Sequence, residues 1–117
     1  MCSSDGTLRK SPHLWRDWTP KLGLELHASQ LAVALRAVRL LRVGGRMVYS
    51  TCSLSPVENE AVVAQILATN CVALVDARSL LAPLKTCPGL RTWQVAHPSK
   101  RQLFASFDDA QEAGAKL

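Results

Sequence analysis

The amino-acid sequence predicts an α/β fold, and three features of its central part support this. A long segment from Pro20 to about Val43 repeats its apolar residues with helical spacing. The Gly44-Gly45 pair ends that segment, and residues 46–51, which include β-branched and aromatic side chains, predict a strand. A second helical segment and a second short strand at residues 72–75 follow. Helix, turn and strand in alternation are typical of α/β architecture.

The chain is long enough for one small domain and too short for a complete large α/β enzyme. It has 117 residues, of which 48% are hydrophobic and 20% charged, a composition that favours a folded chain over disorder throughout. The net charge of +5 is compatible with a polyanionic partner, although a solvated basic surface explains it better. No apolar run approaches the ~18 residues of a membrane span, and residues 1–6 lack the apolar part of a signal peptide.

The first predicted helix has a clear start and stop. Thr19 is suited to the N-cap, Pro20 to the first helical position, and Gly44-Gly45 to the stop. Apolar residues lie on two nearly opposite faces, one with Leu24, Leu31, Leu35 and Val38 and the other with Leu22, Leu26, Val33 and Leu40. The pattern predicts a helix that is buried on two sides, as in a helix covering a sheet inside a larger body.

The second predicted helix covers residues 56–69. Ser55 is suited to the N-cap, Pro56 to the first position and Glu58 to the third, which together form a capping box. Its small residues Val57, Ala61, Ala64 and Ala68 predict a face that packs closely on a sheet.

The last third of the chain gives a weaker pattern. Prolines and glycines interrupt it repeatedly after Leu84, and residues 92–95 and 103–107 predict short strands. Residues 109–117 predict a flexible tail.

Cys52 is the first candidate for chemistry. The four cysteines form no Cys-x-x-Cys pair, which argues against a zinc ribbon and favours reduced thiols inside the cell. Cys52 follows a predicted strand and precedes a predicted helix N-terminus, where the helix dipole lowers a thiol pKa. This position suits a nucleophile. The alternative is a small buried cysteine, which is the more common role of such a residue.

Two blocks of sequence favour the nucleophile. Residues 44–60 contain Tyr-Ser-Thr-Cys-Ser, a following proline and Glu-Asn-Glu, and residues 2–7 read Cys-Ser-Ser-Asp-Gly-Thr. These blocks resemble the signatures of the Nop/Sun family of RNA (cytosine-5) methyltransferases. Trp15, Trp18, His27 and Gln30, with residues 88–95, resemble its eukaryotic multisite tRNA branch, the Misu type. The resemblance extends to about residue 109.

The resemblance implies a fold, an activity and two site residues. Residues 1–108 would be the C-terminal portion of a catalytic domain with a partial Rossmann-like methyltransferase fold, the C-terminal half of the sheet with its flanking helices. S-adenosylmethionine would be the methyl donor and RNA, in particular tRNA, the substrate, in the nucleus or nucleolus. Cys52 matches the nucleophile that adds to C6 of cytosine, and Cys2 matches the cysteine associated with release of the adduct.

Residues near these cysteines have two interpretations each. Asp5 either orients the Cys2 loop or stabilises a turn. Arg9 and Lys10 either contact RNA phosphates or form a solvated basic pair. Pro56 and Glu58 match the family, but helix capping explains them without catalysis. Trp93 and His27 are predicted to be structural, Trp93 as a core residue and not a platform for base stacking.

The chain departs from the family pattern at two positions and lacks one half of it. Met1 stands where the family has proline, and Ser4 stands where it has glycine, which would be harmful if that position needs a positive φ. No Gly-rich strand–turn–helix precedes Cys2, so cofactor-binding residues cannot be identified, and a fragment without activity of its own is expected.

Two other functions remain open on the sequence alone. One is a non-catalytic module that binds RNA or a protein weakly, or associates through an exposed sheet edge. The other is a cysteine hydrolase, which needs His13, His27 or His97 beside Cys52.

Overall fold

A computed structural model describes residues 1–96, 103–105 and 109. Its helices are α1 (Leu14–Asp17), α2 (Pro20–Leu40) and α3 (Glu60–Ala68), and single 3-10 turns lie at Asp5–Thr7 and Arg78–Leu80. Two short strands, β1 (Val95–Ala96) and β2 (Leu103–Phe104), pair antiparallel, with Val95 opposite Phe104. Most of the predicted tail, and His97, lie outside the described residues.

Helix α2 begins where the sequence predicts and ends earlier. Thr19 takes the extended conformation of an N-cap and Pro20 follows in the first turn, although the Thr19 side chain makes no capping hydrogen bond. The helix ends at Leu40, three residues before the predicted Val43. Gly44 and Gly45 form a separate turn, in which Gly44 has a φ of 75° and the Gly45 N–H donates to the Arg42 carbonyl.

Helices α2 and α3 pack against each other and form the larger of two apolar clusters. Its buried members are Ala34, Val62 and Ile66, and the side chains packed around them are Leu31, Leu35, Val38, Met47, Tyr49 and Val72. One of the two predicted apolar faces of α2 is therefore covered. On the other face Leu22 and Leu26 are half-buried, but Val33 and Leu40 are each 71% exposed, so in the described residues this face is covered only in part.

The prediction for the second helix was wrong at its start and on its face. Residues 55–59 form turns, with hydrogen bonds from Glu58 N–H to the Ser55 carbonyl and from Asn59 N–H to the Pro56 carbonyl, and α3 begins at Glu60. The buried face carries Val62 and Ile66, whereas Ala64 and Ala68 are exposed. Larger apolar side chains remove more surface from water and so decide which face turns inward.

The strands predicted at residues 46–51 and 72–75 are not formed. In the described part of the chain neither segment pairs with a strand, and the sheet consists of β1 and β2 alone. Strand propensity reflects packing against neighbouring strands and burial, so it does not by itself produce a strand without a partner. The predicted association through an unpaired sheet edge is therefore not supported. The segment at 92–95 contributes only Val95 to a strand.

Trp93 packs on the second, smaller cluster, which contains Val95 and Phe104. The predicted core role of Trp93 therefore holds within this small cluster. No helix among the described residues has the length and apolar character needed to cross a membrane.

Candidate active site

Two loops that are far apart in the sequence bring Cys2 and Cys52 together. Their Sγ atoms lie 2.8 Å apart, and the Ser4 hydroxyl oxygen lies 3.9 Å from the first and 3.7 Å from the second. Both cysteines are free thiols; Cys2 is half-buried and Cys52 is exposed. The alternative of a buried structural cysteine at position 52 is therefore wrong, and the exposed sulfur is open to an incoming reactant.

Two hydrogen bonds connect the Cys2 loop to the Cys52 loop. The Gly6 N–H donates to the Cys52 carbonyl at 3.0 Å, and the Leu54 N–H donates to Asp5 Oδ1 at 2.9 Å. A Cβ atom on residue 6 would lie 2.2 Å from the Cys52 carbonyl oxygen, so only glycine permits this approach. The Asp5 side chain thus orients the Cys2 loop against the Cys52 loop, which is one of its two predicted roles.

Ser4 adopts a left-handed backbone conformation with φ 64° and ψ 19°. The turn that follows is held by the Thr7 N–H and hydroxyl, which donate to the Ser4 carbonyl at 2.9 and 2.8 Å. Position 4 therefore needs a positive φ, the condition under which replacing the family's glycine was expected to be harmful. Serine adopts this conformation at a cost in backbone strain.

Glu58 lies beneath the two cysteines with none of its surface exposed to solvent. Its Oε1 accepts hydrogen bonds from the Ser3 N–H at 2.7 Å and from Gln30 Nε2 at 2.8 Å. Its Oε2 accepts from the hydroxyls of Ser3 and Ser53, the latter at 2.7 Å. Burial works to raise the pKa of Glu58, but the hydrogen bonds from Ser3, Ser53 and Gln30 together outweigh it and leave the pKa below its ordinary value.

The predicted capping box is therefore wrong. The Ser55 N–H donates to the Ser53 hydroxyl and not to Glu58, because the Glu58 carboxylate is occupied by Ser3, Ser53 and Gln30. Ser-x-x-Glu before an apolar run is compatible with a capping glutamate and also with a glutamate that is buried in the protein. The motif alone does not distinguish these two roles. Ser3, Ser53 and Gln30 were not predicted as site residues. The available clue was that Ser3 and Ser53 lie in the two motif blocks next to the cysteines, and that Gln30 is among the residues that resemble the tRNA branch.

The Cys52 loop is further held by its own side chains. The Thr51 hydroxyl accepts from the Ser53 N–H at 3.0 Å and lies 2.6 Å from Asn59 Oδ1, and Asn59 Nδ2 donates to the Ser53 carbonyl at 2.9 Å. The Tyr49 hydroxyl donates to the Glu58 carbonyl at 2.6 Å. Burial first, and then the Glu58 charge, raise the pKa of Tyr49, which keeps that hydroxyl protonated as a donor.

The two thiols perturb each other. Burial works to raise the pKa of Cys2, but hydrogen bonds from Cys52 and Ser4 lower it overall, whereas the hydrogen bond with Cys2 raises the pKa of Cys52. The pKa of each thiol therefore depends on the other, as expected for two ionisable groups in contact. The predicted effect of a helix N-terminus on Cys52 is absent, because α3 begins eight residues further on.

Other predicted residues lie away from the sulfurs or on the surface. Arg9 and Lys10 are exposed, and which of their two interpretations holds stays a prediction. His27 Nδ1 lies 2.7 Å from the Val57 carbonyl, a contact between α2 and the turn before α3. Within the described residues no three His, Cys, Asp or Glu side chains come together to hold a metal ion.

The chain is similar to RNA methyltransferases. A family model described as 16S rRNA methyltransferase RsmB/F matches residues 1–106. A tRNA (cytosine(34)-C(5))-methyltransferase from Drosophila melanogaster is 44% identical over 114 residues, which are 96% of this chain and 15% of the relative.

Two yeast relatives carry the same kind of name. A multisite-specific tRNA:(cytosine-C(5))-methyltransferase from Schizosaccharomyces pombe is 50% identical over 95% of this chain and 16% of its own length. One from Saccharomyces cerevisiae is 47% identical over 80% of this chain and 14% of its own length. The chain thus spans about a sixth of the curated relatives it matches. No solved structure matches it significantly.

Proposed function

The chain belongs to the RsmB/F family of RNA methyltransferases, and from this premise we propose that the protein methylates C5 of cytosine in RNA, through an adduct on Cys52. The observation that carries the proposal is the pair of free thiols, 2.8 Å apart, with the sulfur of Cys52 exposed. The substrate we propose is tRNA, as in the names of the relatives. The compartment we propose is the nucleus or nucleolus.

The family implies a Rossmann-like fold, and we propose that residues 1–108 form the C-terminal portion of such a domain. In this proposal residues 46–51 form a strand of the domain's sheet when neighbouring strands pair with them. Residues 109–117 form a tail. Exposed apolar side chains on α2 and in the following segment support this, among them Val33, Leu40 and Val48. Large exposed apolar side chains of this kind favour burial against further structure.

Methyltransferases of this family use S-adenosylmethionine, but the described residues do not fit that cofactor. Nucleoside binding in such folds uses a glycine turn that follows a strand and an acidic side chain on the ribose. Gly44 follows a helix and has open space around it, so the turn forms no cradle. A cavity of about 310 Å³ beside Gln30 and Met47 is lined without a carboxylate. A second, of about 190 Å³, is lined by Asp5 and Glu58, whose carboxylates already accept hydrogen bonds within the chain.

The proposed addition and release need the two thiols in succession. The target cytosine leaves its stack, since a thiol in a loop cannot reach C6 inside a helix. The Cys52 thiolate forms a bond to C6, and the C5–C6 π electrons move so that C5 becomes nucleophilic. After C5 is methylated, a base removes the C5 proton and the electron pair of that C–H bond re-forms the C5–C6 double bond. The C6–S bond breaks in the same elimination, and its electron pair leaves with the Cys52 sulfur. Cys2, in contact with that sulfur, is the group we assign to this release.

The test of this function uses the complete protein and RNA containing 5-azacytosine, which traps the adduct. We expect a covalent complex with the wild type, none with Cys52→Ala, and an accumulating complex on ordinary cytosine RNA with Cys2→Ala. Cys71→Ala is the matched control, because Cys71 is also exposed and lies in a turn after α3. An adduct that survives in Cys52→Ala contradicts the assignment.

A second measurement separates catalysis from binding alone. We expect the 117-residue chain to bind no S-adenosylmethionine in equilibrium dialysis, because its described residues offer no fitting site. Retention of RNA by the complete protein without methyl transfer would instead support the non-catalytic module.

A further inference from the structure

Glu58 is a fully buried carboxylate that joins the neighbours of both cysteines. Ser3, next to Cys2, donates to it through its N–H and its hydroxyl, and Ser53, next to Cys52, donates through its hydroxyl. No other described side chain connects these two positions through a buried charge. The loops are fifty residues apart in the sequence, so their meeting depends on such links.

The carboxylate is costly to bury, and its hydrogen bonds offset that cost only with both loops in place. An ionised carboxylate without partners is strongly destabilised in a protein interior. Each Glu58 oxygen accepts two hydrogen bonds, and Gln30 on α2 supplies the fourth donor. If either loop moves away, the buried charge loses partners. This opposes separation of the loops, and with it separation of the two sulfurs.

We propose that Glu58 is a positioning residue of the two-cysteine site, which sets the distance between the Cys2 and Cys52 sulfurs by holding Ser3 and Ser53 together. The proposal rests on the proposed function only for its catalytic consequence. Glu58 does not contact either sulfur and takes no part in the bonds that form or break.

The role requires an acceptor at Oε1, and the negative charge strengthens all four hydrogen bonds. The Ser3 N–H and Gln30 Nε2 can only donate, so a glutamine at position 58 must turn its oxygen towards them and its amide towards the two hydroxyls. The hydroxyls can rotate to accept, but the charge that strengthens all four bonds is lost. Glu58→Gln therefore keeps the shape and weakens the link, whereas Glu58→Ala removes it.

The first test measures the spacing of the thiols without catalysis. Phenylarsine oxide binds tightly only where two sulfurs reach one arsenic atom, and a Cys71→Ser, Cys87→Ser background of the 117-residue chain confines it to Cys2 and Cys52. We expect Glu58→Gln to weaken its affinity by about tenfold, with Glu58→Ala weakening it further. Glu60→Gln is the matched control, since Glu60 is two residues away and, among the described residues, accepts only from the Leu90 N–H at the surface. It should bind the probe as the parent does.

The second test measures adduct formation in the complete protein on 5-azacytosine RNA. We expect Glu58→Gln to slow the rate with RNA affinity unchanged, and Glu58→Asp, which keeps the charge, to recover part of it. A general loss of structure would lower both quantities. Circular dichroism checks the fold of each variant, and if Glu58→Gln fails to fold, Ser53→Ala replaces it because it removes one donor on the Cys52 side.

The outcomes separate the two proposals. Unchanged arsenical affinity in a folded Glu58→Gln variant, and in Ser53→Ala, overturns the positioning role. Weakened affinity in Glu58→Gln, together with an adduct that persists in Cys52→Ala, supports the positioning role and overturns the proposed function. Weakened affinity with a slowed adduct supports both.

Discussion

At the residue scale, Ser4 is the position where the local backbone conflicts most clearly with the side chain. Its φ of 64° lies in the left-handed region, which costs a residue with a Cβ about 1–2 kcal/mol. Within the part of the chain that the structure describes, its hydroxyl makes contacts of 3.4–3.9 Å to the Cys2 carbonyl and to the two sulfurs, and no shorter ones. These contacts return little free energy, so the strain is mostly uncompensated.

Ser4→Gly is therefore expected to stabilise the chain by about 0.5–1 kcal/mol, since the relief of strain exceeds the added flexibility of the unfolded chain. Ser4→Ala keeps the strain and should give no gain. Urea unfolding followed by circular dichroism measures both. A Ser4→Gly variant less stable than Ser4→Ala would mean that the effect of the left-handed strain is smaller than the flexibility glycine adds.

The thiol pair gives a second prediction at this scale. Contact with Cys2 raises the pKa of Cys52, so Cys2→Ala should lower the pKa of Cys52 towards its ordinary value. Contact with Cys52 lowers the pKa of Cys2, so Cys52→Ala should raise it. The pH dependence of iodoacetamide alkylation, in the Cys71→Ser, Cys87→Ser background, measures each remaining thiol. Two unchanged profiles would mean that the sulfurs do not interact in solution.

At the element scale, sequence patterns predict what depends on local contacts. Thr19 and Pro20 define the start of α2 through the backbone conformations they prefer, and that start is confirmed. Asn70 follows α3 with a φ of 56°, a conformation that asparagine tolerates at a helix end. The strand at 46–51 was not predictable in the same way, because a strand needs a partner that no local pattern supplies.

The same distinction between local and long-range contacts applies to the candidate site. Cys2 and Cys52 were identified by their motifs, but Ser3, Ser53 and Gln30 act through a carboxylate fifty-five, five and twenty-eight residues away in the sequence. The sequence predicts a capping box for Glu58 because this interpretation needs only the four consecutive residues 55–58. Long-range partners decide the role of a buried charge, and a single sequence does not reveal them.

The contact between α2 and α3 gives a prediction for these elements. Ile66 is 4% exposed and Val33 is 71% exposed. Ile66→Ala should therefore cost about 2–5 kcal/mol through lost burial and a cavity, whereas Val33→Ala should stay within about 0.5 kcal/mol. Urea unfolding of both variants measures the difference. A comparable cost at Val33 would mean that the outer face of α2 is also covered in solution.

At the scale of the whole molecule, a polar network connects parts that the apolar clusters do not. The larger cluster joins α2 to α3, and the smaller one holds β1 to β2 with Trp93. Residues 1–8 contribute to neither cluster. Their attachment comes from the Glu58 carboxylate, the Asp5 contact with the Leu54 N–H, and the Gly6 N–H bond to Cys52. The arrangement of the site thus depends on charge and hydrogen bonds more than on apolar burial.

This dependence makes the stability of the molecule sensitive to acid. The pKa of Glu58 in the folded chain lies below its ordinary value of 4.5, so the unfolded chain binds more protons in that range. The Glu58 contribution is therefore fully present above pH 4.5 and is lost as the pH falls through the folded pKa. Glu58→Gln should lower stability at neutral pH and flatten this acid-side slope. Unfolding in urea at a series of pH values measures both, with Glu60→Gln as the control that keeps the wild-type slope. Parallel curves for the wild type and Glu58→Gln would mean that the carboxylate has the same pKa in both states, and that its buried hydrogen bonds do not survive in solution.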